Sequence, residues 1–257
     1  MLADVPLTGL TTGFSCLVMT LAWVYLGQRI KKANTDTLRS LEYMRAFFLY
    51  MGIFTGFMTA PLFWLPVSPA AFSTAMAYGF TIGHIFLYVA CANIALMMCT
   101  VVPQMAQRAR LITTFWVVAA TVLTVVNAKT MIWGIKPIFD PVNHLSEFRV
   151  DHVLGVVIAV VVALAFVPAI ILFVIGAING RGSARIKSSL MALGILTIMV
   201  GGPLHNLAHT AGAYALADIS GIIGVIIFGL GIAYRVEKSF APMPTHPLMK
   251  AAPSNTV

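Results

Sequence analysis

Charge is what this sequence has least of. Lys, Arg, Asp and Glu make up 9% of its 257 residues, against about 25% in a soluble globular domain, so a water-facing surface cannot be built from it. Cysteine is sparse as well. Cys16, Cys91 and Cys99 all lie inside apolar stretches and offer neither a disulfide framework nor a zinc ribbon. There is no Gly-rich phosphate loop ending in Lys-Ser/Thr, no GxSxG elbow and no cage of acidic residues, which leaves nucleotide hydrolysis and serine-hydrolase chemistry without support. What fills the chain is apolar: 60% of it is hydrophobic. These residues fall into blocks of about twenty or more, the length at which a helix crosses a hydrocarbon core of about 30 Å. The shorter alternating segments of a transmembrane β-barrel are missing.

The pattern predicts an all-α integral membrane protein, a seven-transmembrane-helix bundle with spans at about 9–28, 41–65, 73–102, 111–135, 152–178, 188–214 and 217–235. Basic residues orient it. The first, third and fifth gaps and the tail carry Arg29, Lys31, Lys32, Arg39, Arg108, Arg110, Arg181, Arg185, Lys187, Arg235, Lys238 and Lys250. The other side has Lys136 and Arg149 in its longest loop, beside Asp140, Glu147 and Asp151. The positive-inside rule then puts the N-terminus outside and the C-terminus in the cytoplasm, as in a multi-pass protein of the plasma (inner) membrane. Met1 to Thr8 lacks the basic start and small-residue cleavage site of a signal peptide, so the first span is expected to be retained.

The short connections predict one transmembrane domain, 1–235, followed by a disordered cytoplasmic tail, 236–257, with Pro242, Pro244, Pro247 and Pro253. That tail is too short for an output domain, so signalling or electron transfer calls for a protein partner or a homo-oligomer. The net charge of +8 is read as orientation and contact with an anionic lipid bilayer, with no nucleic acid partner. Gly52, Gly56, Gly79, Gly83, Gly221, Gly224, Gly229 and Gly231 are expected at close helix contacts or against a flat ligand. Pro61, Pro168 and Pro203 each fall inside an expected span, and Gly201-Gly202-Pro203 predicts a kink just before His205.

Ionisable groups inside a bilayer point to function because burying them is costly. With a rise of about 1.5 Å per residue, His84 in the third span and His205 in the sixth come to nearly the same depth from the outer surface. Asn127 and Lys129 close the fourth span on that side, Asp218 opens the seventh, and His144 and His152 bracket the outer loop. Hydrogen-bonded packing of these groups with one another is the plainest reading. A sharper one is haem b, with His84 and either His205 or His209 as axial ligands, Gly79 and Gly83 leaving room for the porphyrin face, and Lys129 toward the propionates. It implies electron transfer or quinone chemistry with a partner.

A second metal reading takes His205 and His209 as an i, i+4 pair on one helical face, with His84 completing a three-His zinc site for lipid hydrolysis. That pattern resembles the seven-span alkaline ceramidase and adiponectin-receptor group. The resemblance covers His84, His205 and His209 alone, with the pair on the sixth span instead of the last and Phe80 where that group has a serine. A further reading is a seven-helix receptor or sensor that binds a small ligand in an outer pocket and acts through a partner. Retinal is excluded from it, since the seventh span has no lysine for a Schiff base. Glu42 and Arg45, three apart, are expected to pair at the cytoplasmic surface. Met44, Met51 and Met58 repeat every seven residues and read as packing.

Overall fold

A computed structural model describes residues 7–33, 39–61, 69–134, 138–140, 145–147, 152–208 and 210–234. Among them are eight helices, α1 (Leu7–Ala33), α2 (Arg39–Thr59), α3 (Pro69–Val101), the single turn α4 (Pro103–Ala106), α5 (Ala109–Asn127), α6 (His152–Asn179), α7 (Gly182–Leu207) and α8 (Ala211–Ala233). Five of them, α3, α5, α6, α7 and α8, are long and apolar enough to cross a membrane. The chain therefore has the make-up of a helical membrane protein. α1 and α2 have 27 and 21 residues, a comparable length, but α1 carries Arg29, Lys31 and Lys32 in its last two turns, and α2 carries Arg39, Glu42 and Arg45 in its first two. The tail from 236 on, Lys136, His144, Arg149 and His209 lie outside the described residues.

The helices close a ring. α1 packs on α2, α2 on α3, α3 on α6, α6 on α7, α7 on α8, and α8 back on α1, while α5 leans on α3 from outside. α3 is accordingly the most buried of the five apolar helices and α5 the least. The centre is filled from α2. Phe47 stacks edge-on against Phe166 of α6 at 5.8 Å, Phe48 reaches Phe228 of α8 at 5.7 Å, and Trp23 of α1 lies on both at 5.8 and 5.6 Å. All five rings are almost fully buried. Glycine sets the tightest seam, between α7 and α8: Gly194 lies against the backbone of Phe228, and Gly224 against Ile198 and the Gly194 carbonyl. Such close approach, with van der Waals contact replacing the hydrophobic effect, is how helices associate in lipid.

Several boundaries differ from the hydropathy pattern, each for a local reason. The second span stops at Thr59, because proline at 61 supplies no N–H to continue the ladder. The sixth stops at Leu207 instead of running to 214. Thr210 is extended there, and its side chain accepts the Ala213 N–H at 3.2 Å, capping α8. Tyr214 thus belongs to α8, and Asp218 sits two turns inside that helix instead of opening it. α7 itself runs as continuous helix through Gly201, Gly202 and Pro203. The longest loop holds a small antiparallel pair, β1 (Ile138–Asp140) and β2 (Leu145–Glu147), in the register Phe139 to Ser146. Finally, α5 ends in a π-helical turn, Ala128–Ile132.

Candidate functional site

Eight polar side chains are buried among the described residues: Thr12, Ser15, Thr55, Thr59, Thr81, His84, Asn127 and Asp218. All eight lie to one side of the aromatic cluster, toward the end where α1, α3 and α8 begin and α2 and α5 finish. Phe228, for instance, is ten residues, or about 15 Å, further along α8 than Asp218. Thr55, Thr59 and Thr81 each return a hydrogen bond to a carbonyl one turn back on their own helix, an arrangement that satisfies the hydroxyl locally. Thr20 and Thr55 also meet across α1 and α2 at 2.8 Å. This leaves His84, Asn127 and Asp218 as the groups whose burial needs a further reason.

His84 stands on α3 with its ring 3.8 Å from that of Phe80, edge-on to Phe54 of α2 at 5.3 Å and 6.0 Å from Tyr88. Its Nδ1 lies 2.8 Å from the Phe80 carbonyl. A carbonyl oxygen only accepts, so Nδ1 is the donor in this contact. One turn on, the Tyr88 hydroxyl accepts from Asn127 Nδ2 at 3.1 Å, joining α3 to α5. Asn127 is fully buried, and its Oδ1 has no hydrogen-bond partner. An orphaned acceptor of this kind calls for a donor. The π turn follows at once. It keeps Met131 buried against α3, leaves Lys129 exposed, and ties Thr130 Oγ1 to the Val126 carbonyl. Single π turns recur at functional sites.

The second group spans α1 and α8. Asp218, 6% exposed, accepts from Thr12 Oγ1 at 3.0 Å through Oδ2, and Ser15 Oγ donates to the Asp218 main-chain carbonyl at 3.2 Å. The sequence reading of Asp218 as a helix start hid this group. The capping pattern Thr210-Ala-Gly-Ala213 is the signal that relocates it.

The expected metal and haem residues come out as follows. Gly79 and Gly83 face α2: a Cβ at Gly79 would lie 2.6 Å from the Phe57 carbonyl, and one at Gly83 3.3 Å from that of Phe54. They are helix contacts, and the space assigned to a porphyrin face is occupied by α2. His205 lies in the last turn of α7, and in the ring α6 separates that helix from the α3 of His84. α7 ends at Leu207, and His209, the second member of the expected i, i+4 pair, lies outside the described residues. Among the described residues no three His, Cys, Asp or Glu side chains gather where they could hold a metal ion. Glu42 is exposed, and no ion pair joins it to Arg45 among the described residues; the Arg45 Nε is buried without a partner. Comparisons with family models, curated proteins and solved structures return no match to this chain.

Proposed function

We propose that the chain is a seven-span receptor or sensor subunit that takes a small polar ligand in the outer half of its bundle and passes the signal to a protein partner. In this reading α1 and α2 also cross the bilayer, the N-terminus is outside, the basic loops face the cytoplasm and the membrane is the plasma membrane. One observation carries it. Buried polar groups gather on one side of the Trp23, Phe47, Phe48, Phe166 and Phe228 cluster, and that cluster bridges the ring from α1 and α2 to α6 and α8. In this reading the polar half takes its ligand from one side only, so it binds and does not conduct. The ligand chemistry this reading favours is a hydrogen-bond donor for Asn127 Oδ1, beside the Tyr88 ring to which the Asn127 amide is already tied.

Electron transfer through haem b has less support, since α2 fills the space beside Gly79 and Gly83. Purified protein tests the choice. Proteoliposomes should show no proton or solute flux due to the protein, and its visible spectrum should show no Soret band. A panel of small amines, amides and alcohols should contain at least one that raises the unfolding temperature of the parent but not of Asn127→Leu. A flux would make the protein a transporter, a Soret band would make it a haem protein, and either result overturns the receptor reading.

A further inference from the structure

The loop between α5 and α6 is longer than joining them requires. The π turn ends at Ile132 and α6 starts at His152, whereas connections between helices in a bundle usually take about 2–8 residues. α5 and α6 already touch, and the finish of one and the start of the other share an end of the bundle, so a short turn would serve. The chain instead builds β1 and β2, and these strands dock elsewhere. β1 lies against α3 and β2 against α1. In the ring α1 stands opposite α6, three places round from it in either direction. The loop therefore leaves α5 beside α3, reaches over to the far side of the bundle and comes back to α6. It does so at the end where α1 and α3 begin, because both of its anchors are there. The eight buried polar groups lie in that same half: Thr12 is five residues into α1, and Thr59 closes α2. Gly134 sets the exit from the π turn. A Cβ there would lie 2.6 Å from the Thr130 carbonyl and 3.1 Å from that of Lys129, so glycine is what lets the chain leave α5 on this path.

We propose that the β1–β2 hairpin is a lid over the mouth of the bundle, closed by its contacts with α1 and α3, that must lift before a ligand reaches the buried polar groups; this rests on reading that half as a ligand compartment. Long loops in compact folds commonly serve as lids, and the paired strands let this one move as a single piece.

The test is the reaction of Cys16 with a small charged methanethiosulfonate reagent, on the purified full chain in detergent with Cys91 and Cys99 replaced by alanine. Cys16 is buried one turn beyond Thr12 on the same face of α1. A lid open in about 10% of molecules or fewer slows entry about tenfold or more, so replacing 138–147 by a short Gly/Ser turn should speed the reaction by at least that factor. Gly134→Ala, which keeps the loop whole, should give a smaller rise in the same direction, and it decides the matter if the shortened chain does not fold. A Phe48→Cys reporter should stay unreactive in both variants, which shows that the helices have not come apart. Unchanged Cys16 rates in both variants would overturn the lid, as would a parent whose Cys16 reacts as fast as a free thiol. No ligand enters these measurements, so a failed lid leaves the receptor reading standing, and a failed ligand screen leaves the hairpin as a cover.

Discussion

Gly194→Ala is the sharpest probe of how the bundle is held together. The added Cβ would lie 2.5 Å from the Phe228 nitrogen and 2.7 Å from its Cα and Cβ, where nonbonded carbon atoms prefer about 3.5 to 4.0 Å. Backbone atoms cannot swing aside, so α7 and α8 must part by about 1 Å along the seam that also positions Phe228 in the aromatic cluster. Overpacking of this kind costs about 1–3 kcal/mol. Replacing glycine by alanine inside a helix also returns up to about 1 kcal/mol of helix propensity, which would mask part of the loss. Gly202→Ala cancels that term: it lies on the same helix, and its new methyl meets nothing within 4 Å. Thermal or detergent unfolding of the two purified variants, side by side, should therefore show Gly194→Ala less stable than Gly202→Ala by about 1–3 kcal/mol. Equal stability would mean that α7 and α8 do not meet at Gly194 and Phe228, and the ring would lose its closest contact.

Thr12→Val should cost about 1–3 kcal/mol by removing a hydrogen bond to the buried Asp218 carboxyl, whereas Thr12→Ser should cost far less; unfolding of both variants in the same detergent checks this. The double change Tyr88→Phe with Asn127→Leu removes a buried donor and acceptor together, along with the orphaned Oδ1, so it should be at least as stable as the parent while abolishing ligand stabilisation. Asn143→Cys in the longest loop should react with an impermeant maleimide on intact cells, and Ser183→Cys in the basic loop only after lysis; the reverse order would turn the bundle over.

The helical membrane class was open to the sequence because apolar length and missing charge are properties of composition. So were most of the helices, and His84 and Asn127 as polar groups inside apolar stretches. The break between α7 and α8 was not: Leu207, Ala208 and the residues after Thr210 are apolar enough that hydropathy runs through them, and only the capping hydroxyl of Thr210 marks the stop. That shift moved Asp218 from a helix end to a buried position facing α1. Which helices become neighbours is likewise invisible to periodicity. α3 meets α6 and sends α5 outside the ring, so depth along the chain says nothing about whether His84 and His205 approach each other. Gly79 and Gly83 were legible as close contacts, but not as contacts to the carbonyls of α2 rather than to a ligand. The expected pairing of Glu42 with Arg45 failed for a simpler reason. A three-residue spacing permits a contact without requiring one, and here Glu42 turns to the exposed face while the Arg45 Nε is buried.

The most direct test of the one-sided chamber is cysteine accessibility from each side of the membrane. In a background with Cys16, Cys91 and Cys99 replaced by alanine, Asn127→Cys would stand in the polar half and Phe48→Cys in the aromatic cluster. Each would be exposed to a small charged methanethiosulfonate reagent, first on intact cells and then on inverted vesicles. Asn127→Cys should react from the cell exterior and not from inverted vesicles, while Phe48→Cys should react from neither. Modification of Asn127→Cys from the vesicle side, or of Phe48→Cys from both sides, would show a path through the ring and contradict a chamber closed by aromatic side chains.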